Sequence, residues 1–476
     1  MTSYESAVAQ LYKLGYELAR TPGHKFDLEL VRVLLAALDH PEQRFASVLI
    51  AGTNGKGSTA ATLASILQAG GHRTALYTSP HLQRVNERIR VNGAEITDTE
   101  FAGAYDVVEQ AAQSLLRSGR LPWHPSFFEM LTAMAFAHFA ASQAAVAVLE
   151  VGMGGRLDAT NVVQPLVSVI TDISLDHEKF LGSTIREIAR EKAGIIRRGG
   201  VVVTLPQHPE ANEVIGQTVL DNEAAAVSAV PFVPPLSPAA EPDLTSGAGL
   251  RNRYPVEVRG EQILVDSPLL GRHQWRNLAL AIAAAEQLNR LGVKLSPSDI
   301  AAGIRGTHWP GRFEVVAADP RRGLPEIVLD GAHNPAGAWA LRAALSQRYS
   351  RGADHPEAGG PPLIFVFAAM RDKAIAEIVS ILFPLARKVI ATRAQTPRSA
   401  APEEIRAAGE RVFQDIETQP NVILALQSAF ALANQDTVVV IAGSIYIVGE
   451  ALAALQAWEE TGFEFPVSSF QKLHKS

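Results

Sequence analysis

Short runs of β-branched residues alternate along this chain with longer runs rich in alanine and leucine. Phe45–Ile50 (FASVLI) reads as a buried strand, followed by a glycine-rich turn and a helix from about Ser58 to Ala69. Thr74–Thr78 reads as another strand. Pro125–Ala141 is apolar almost all round, which predicts a buried helix. Ala144–Val151 (AAVAVLEV) and Leu166–Thr171 (LVSVIT) lack polar alternation, as strands covered on both faces of a parallel sheet do. Thr184–Arg197 reads as a helix and Gly200–Leu205 as a strand. Val256–Val265 suits a small antiparallel hairpin turning at Arg259-Gly260, and His273–Leu291 a long helix stopped by Gly292.

The Val230–Leu250 segment is rich in Pro, Ala and Ser and predicts a loop or insertion. Near Thr307–Gly311 the alternation restarts. Strands are expected at Ile327–Leu329, Leu363–Phe367, Val389–Thr392 and Thr437–Ile441. Helices are expected at Ala336–Arg348, Ala374–Phe383, Pro402–Gly409 and Val422–Asn434, and Arg351–Pro361 reads as a surface loop. The pattern predicts two α/β domains of unequal size, residues 1–308 and 309–476, with the boundary near Trp309.

Composition narrows the chemistry. The 476 residues are 47% hydrophobic, enough for sizeable cores. Lys and Arg number 43 against 49 Asp and Glu, a net charge of −6, which argues against an electrostatic hold on nucleic acid. No cysteine is present, so disulfides, cysteine-ligated metal and thiol catalysis are excluded. No run of about 18 apolar residues predicts a membrane span. The first residues, MTSYESAVAQLYKLGYELAR, lack the basic and apolar regions of a secretory leader. The expectation is a cytoplasmic protein, with a monomer as the default and no nucleic-acid or membrane partner.

The strongest chemical signal is Gly52-Thr53-Asn54-Gly55-Lys56-Gly57-Ser58-Thr59, between a buried strand and a helix. Glycines let the backbone bend until its N–H groups converge on phosphate oxygens, and the helix N-terminus adds partial positive charge. Lys56 can reach terminal phosphates. The general phosphate-loop pattern has a glycine where Ile50 stands and no residue where Gly57 separates Lys56 from Ser58. The other reading is a glycine-rich turn with a solvated lysine.

This variant loop, GTNGKGS, resembles that of the Mur-ligase-like ATP-dependent amide ligases, most of all the folate branch of folylpolyglutamate and dihydrofolate synthases. The resemblance continues through Tyr77-Thr78-Ser79-Pro80-His81, Leu149–Asn161 (LEVGMGGRLDATN), Asp176-His177 and Glu191–Ile195 (EKAGI). It resumes at His308–Arg312 (HWPGR), Asp330–Pro335 (DGAHNP) and Gly443–Tyr446 (GSIY). These motifs span nearly the whole chain in the family's order. The resemblance implies an α/β fold: a P-loop-containing, mostly parallel sheet domain that binds ATP, followed by a smaller Rossmann-like glutamate ligase domain.

Roles follow from the resemblance. Glu150, at a strand's C-terminal end, is implied as a ligand shared by two Mg2+ ions, Ser79 as a hydroxyl ligand of the first and His177 as a ligand of the second. The other readings are that Glu150 accepts from nearby glycine N–H groups, that Ser79-Pro80 starts a turn, and that His177 is solvated. Lys192 is implied as a lysine carbamylated by CO2, giving an anionic oxygen ligand; read alone, Glu191-Lys192 is a solvated charge pair. Asn277, in Gly271–Asn277 (GRHQWRN), is implied as an adenine contact, or else is a polar residue at a helix start. Arg312 is implied to reach phosphate, where its planar fork suits paired bonds. Asp330 and His333 are implied to approach the nucleotide and the incoming amino acid, although Asp330 also fits an Asx-turn or cap. Ser444 and Tyr446 are implied contacts of the glutamate.

The implied reaction is attack of a folate or dihydropteroate carboxylate on the γ-phosphate of ATP, giving an acyl phosphate and ADP, then amide formation with L-glutamate. Lys56, the loop amides and Mg2+ would neutralise the phosphoryl charge, and closure of the domains bringing Arg312 and His333 would exclude water. The family binds the pterin near segments matching Thr21–Asp27 and His81–Arg90 (HLQRVNERIR); the latter also reads as a mobile polar loop. Two other functions fit the pattern less well: a Mur-type ligase for peptidoglycan precursors, and a nucleotide-binding ATPase that makes no bond.

Overall fold

The computed structural model describes residues 2–15, 28–235, 250–349 and 360–461. The Thr21–Asp27 segment and most of the Val230–Leu250 and Arg351–Pro361 loops lie outside the described residues. The chain divides into two compact units. The first comprises Met1–Ala240, Arg253–Ser267 and Trp275–His308; the second comprises Glu241–Asn252, Pro268–Gln274 and Trp309–Ser476.

The first unit is built on an eight-stranded sheet. Its strands are β1 (Ala46–Ala51), β2 (Thr74–Tyr77), β3 (Ile89–Val91), β4 (Ala94–Glu95), β5 (Val146–Glu150), β6 (Val167–Ile170), β7 (Val201–Thr204) and β8 (Ala225–Ser228). They lie in the order β4-β3-β2-β5-β1-β6-β7-β8. The pairs from β2 to β8 are parallel, while β3 pairs antiparallel with both β2 and β4. Every residue of β2, β5 and β6 is buried, which is why these strands read as continuous apolar runs. One face is covered by a cluster that includes Leu49, Tyr77, Phe101, Met130, Phe136 and Leu149.

Helix starts follow local chemistry. Thr97, Ser126 and Thr184 each cap a helix and form a reciprocal box with Glu100, Glu129 and Glu187. Such caps contribute about 1 kcal/mol each. The helix Lys56–Ala69 begins two residues before the expected start, directly after Gly55. The helix Ile185–Ala193 ends short of the expected Arg197. Gly194 ends it, and a side chain there would run into Arg156, 2.4 Å from its Cβ. The hairpin β9 (Asn252–Val258) and β10 (Glu261–Ser267) turns at Arg259-Gly260 with both residues at positive φ.

His81–Arg90 is not the mobile polar loop that its composition allows. Val85, Asn86, Arg88 and Ile89 are buried, and the segment runs directly into β3. Its polar groups find partners inside: Asn86 donates to the Ile96 carbonyl at 2.8 Å, and Arg88 Nε donates to His81 Nδ1 at 2.8 Å.

The second unit has a six-stranded sheet. Its strands are β11 (Glu314–Val316), β12 (Glu326–Leu329), β13 (Leu363–Phe367), β14 (Lys388–Ala391), β15 (Ile416–Thr418) and β16 (Val438–Ala442). Their order is β11-β12-β16-β13-β14-β15, with only the β11–β12 pair antiparallel. It has its own apolar core, which includes Phe313, Leu341, Phe365, Phe367, Ile378 and Phe383. Both units are therefore mostly parallel α/β structures, in which ligand chemistry is expected beyond the carboxyl ends of the strands.

Candidate active site

In the first unit the register brings four loops to one sheet edge. Ile50 pairs with Glu150, Ala51 with Ile170, and Tyr77 with Leu149. Gly52 therefore follows β1 beside Glu150 at the end of β5, Ser79 lies just past β2, and Asp172–His177 follows β6. Adjacent strands β2-β5-β1-β6 span about 14 Å, three spacings of ~4.8 Å.

The phosphate loop is held through its backbone. The carbonyl of Asp172 accepts from the N–H groups of both Thr53, at 2.8 Å, and Asn54, at 3.2 Å. Thr53 Oγ1 donates to the Ser174 carbonyl and accepts from Ser174 N–H. Gly55 has φ +86, and a Cβ there would lie 2.1 Å from Asn277 Oδ1, so both conformation and space demand glycine. Thr59 makes the first intrahelical bond, to the Gly55 carbonyl. The N–H groups of Lys56, Gly57 and Ser58 belong to the helix's first turn, the part that has no intrahelical acceptors and attracts anions. Lys56 Nζ donates to the Thr53 carbonyl at 3.2 Å, folding the side chain back over the loop.

Around the loop sit the other residues singled out by sequence. Glu150 is 4% exposed, and its Oε2 accepts from Ser79 N–H at 3.2 Å. His177 lies in the left-handed region at φ +52 and begins the short helix Glu178–Leu181. Its N–H donates to Asp176 Oδ1 at 2.8 Å. Lys192 is not a solvated charge. It is 4% exposed, and Nζ donates to the Gly52 carbonyl at 2.7 Å. Its neighbour Glu191 turns outward and pairs with Arg156. Asp158 pins the glycine-rich turn after β5, accepting from Met153 N–H, Thr160 N–H and the Thr160 hydroxyl. Burial pushes its carboxyl above the usual range, and the Thr160 and Met153 hydrogen bonds oppose that shift.

The second unit has a corresponding cluster. Leu329 pairs with Ile441, so the turns after β12 and β16 lie side by side. Asp330 is buried; its Oδ2 accepts from Phe313 N–H and its Oδ1 from Ala332 N–H, both at 2.8 Å. Burial raises its pKa, opposed by the charges of His273 and Arg312. A Cβ on Gly331 would lie 2.8 Å from Arg312 Nη1, so the guanidinium packs against this turn. His333 Nδ1 lies 2.8 Å from the Gly331 carbonyl. A carbonyl only accepts, so Nδ1 carries a proton. Ser444 is buried and its Oγ accepts from Tyr446 N–H, capping the helix Ile445–Thr461.

Comparison with known proteins matches this architecture. Residues 124–285 fit the Mur ligase middle domain and residues 311–445 the Mur ligase glutamate ligase domain. A dihydrofolate synthase/folylpolyglutamate synthase of Bacillus subtilis is 33% identical over 430 residues, covering 90% of this chain and 94% of its own length. The chain belongs to the dihydrofolate synthase/folylpolyglutamate synthase family. A folylpolyglutamate synthase of Lacticaseibacillus casei is 34% identical, covering 94% and 97%. A crystal structure of a Mycobacterium tuberculosis folylpolyglutamate synthase complexed with ADP and AMPPCP superposes with a TM-score of 0.80 at 31% identity, covering 94% and 98%.

In this member of the family, Asp172, Arg276 and Asp158 shape the site without having been singled out by sequence reading. Asp158 stood inside a glycine-rich motif, and its three donors were not deducible. Asp172 and Arg276 meet across 104 residues, which leaves no local signal. Among the described residues, no group of three or more His, Cys, Asp or Glu side chains could by itself hold a metal ion. A buried carboxylate beside a serine suits Mg2+ instead, which is bound through one or two carboxylates together with phosphate oxygens and water. Glu150 and Ser79 fit that donor set; His177 is a nitrogen donor and fits a hard cation less well.

Proposed function

We propose that the chain is an ATP-dependent amide ligase that joins L-glutamate to the carboxylate of a folate or dihydropteroate through an acyl phosphate. One observation carries the reading: the phosphate loop, Ser79, Glu150 and the Asp176-His177 turn occupy one sheet edge, short enough for a nucleotide and a carboxylate substrate to share.

The residues divide the work. Gly52, Thr53, Asn54, Gly55, Gly57 and Ser58 form the cradle; the amides that Asp172 does not hold receive the triphosphate, and Lys56 swings from Thr53 to its terminal oxygens. Asn277 fixes Gly55 and borders the nucleotide. Mg2+ would be held by Glu150 and Ser79 together with phosphate oxygens, with His177 serving a second ion, and would supply charge neutralisation at the γ-phosphate. Carbamylation of the buried Lys192 amine by CO2 would convert a donor to the loop into an anionic acceptor.

A carboxylate oxygen of the substrate attacks the γ-phosphorus and ADP leaves. The glutamate amine then attacks the acyl carbon, inorganic phosphate leaves and the amide forms. Arg312 is assigned to the transferred phosphoryl group. Asp330 shapes the turn that carries His333, whose ring, when neutral, would take the glutamate ammonium proton at Nε2. Ser444 and Tyr446 are assigned to the glutamate. The division of labour is ATP binding by the first unit and glutamate ligation by the second.

Phosphate release in ATP, Mg2+ and L-glutamate tests this directly. Release is expected with dihydropteroate or a reduced folate and not with a UDP-linked muramyl peptide. ATP turnover that ignores both glutamate and pterin contradicts the reading.

A further inference from the structure

The geometry points to Arg276 as a positioning residue for the nucleotide: it braces the phosphate loop through Asp172. The inference rests on the reading of that loop as an ATP site. Arg276 Nε donates to both carboxylate oxygens of Asp172, at 3.0 and 3.1 Å, and Nη2 also reaches Oδ1. Nη2 further donates to the Pro206 carbonyl at 2.9 Å, past the end of β7. The backbone carbonyl of the same Asp172 takes the N–H groups of Thr53 and Asn54. One residue therefore ties the arginine, by its side chain, to the loop, by its main chain.

The second tie comes from the next residue along the helix His273–Arg290. Asn277 Oδ1 fills the space beside Gly55, and its carbonyl accepts from Thr59 Oγ1 at 3.5 Å. Arg276 and Asn277 thus flank consecutive loop residues, Arg276 holding Thr53 and Asn54 through Asp172 and Asn277 packing against Gly55. An arginine suits the task because its planar fork fixes the carboxylate in orientation as well as distance. A tilt of the Asp172 peptide would move both N–H groups it holds, and with them the direction of the cradle's remaining amides.

The side chains of Arg276 and Asp172 are 33% and 42% exposed, so the pair is a solvent-screened brace and not a core element. Its loss is expected to disturb the loop more than the fold. The test is calorimetric ADP binding by the full-length protein, with thermal melts and ligase kinetics alongside. Arg276→Ala is expected to weaken ADP binding about three- to fivefold, the scale of a well-formed exposed pair. KM for ATP should rise in parallel while KM for glutamate stays level and Tm barely moves. Asp172→Asn, which keeps the backbone carbonyl, should give a similar loss. The double variant should be no worse than either single one. Arg276→Lys should recover only part of the affinity, since it keeps charge and loses the fork.

Unchanged ADP affinity in both single variants overturns the brace. So do additive losses in the double variant, or a parallel rise in KM for every substrate. If Arg276→Ala fails to fold, Asp172→Asn and Arg276→Lys decide the matter by the same measurement. A wild-type protein that binds no ADP overturns the ATP-site reading, a result distinct from equal binding by wild type and variants.

Discussion

The two units build their candidate clusters on the same plan, loops at the carboxyl edge of a parallel sheet, and each pins a turn with a buried aspartate, Asp158 or Asp330, but the phosphate loop itself is held differently. In the first unit a backbone carbonyl, that of Asp172, holds the loop, and the first turn of the following helix keeps amides that have no intrahelical acceptor. In the second unit a buried side chain, Asp330, uses both carboxylate oxygens on the N–H groups of Phe313 and Ala332. The first arrangement keeps donors for an anion. The second uses both oxygens of its own carboxylate to fix a turn, so under the proposed function Asp330 shapes the turn and His333 and Arg312 meet the substrates.

The largest expected effect breaks the first arrangement at its charge. Lys56→Ala should lower turnover by about 100- to 1,000-fold, the scale of one lost electrostatic contact to a transition state, with Tm unchanged. Glu150→Ala should be comparably inactive; retained turnover there would undermine the metal assignment.

The next effect falls on the second unit and reads as stability. Asp330→Ala leaves two buried N–H groups without their acceptor, an expected loss of about 2–5 kcal/mol in denaturant unfolding. ADP binding, assigned under the proposed function to the first unit, should survive. Asp330→Asn should recover part of the stability and retain measurable turnover. A fully stable but inactive Asp330→Asn would show that the carboxylate charge itself acts in the reaction, and the contrast between the units would fail.

The smallest effect concerns the turn after β2. Burial, reinforced by the neighbouring Arg88 charge, holds the His81 pKa well below its ordinary value. The unfolded chain therefore takes up this proton first as pH falls below about 6.5, so stability is present above that pH and is lost below it. Tm against pH should slope downward toward acid, and His81→Asn should flatten part of that slope. An unaltered slope would mean that another group causes it.

Much of this was legible in the sequence. Glycine-rich turns between apolar runs located the phosphate loop, and a carboxylate ending the run Ala144–Val151 located Glu150. These signals are local, because a bent backbone needs glycine and a doubly covered strand needs apolar residues. What escaped was set by tertiary partners. The burial of Arg88 depends on His81 and on the Phe127 ring, 5.5 Å from its guanidinium. The burial of Lys192 depends on a carbonyl 140 residues away, and polarity alone predicted solvent for both. The hairpin β3–β4 and the helix Asp98–Arg117 were missed beside that segment as well; the strands are short and largely unburied, and the helix spaces its buried Phe101, Tyr105, Val108, Ala112 and Leu115 among polar residues.

The most direct measurement follows oxygen. With a dihydropteroate labelled with 18O in its carboxylate, ATP, Mg2+ and L-glutamate, attack on the γ-phosphorus transfers one labelled oxygen to the released inorganic phosphate as the amide forms. Label in the phosphate, in proportion to amide, is the expected result. Unlabelled phosphate, or ADP formed without amide, would contradict ligation through an acyl phosphate.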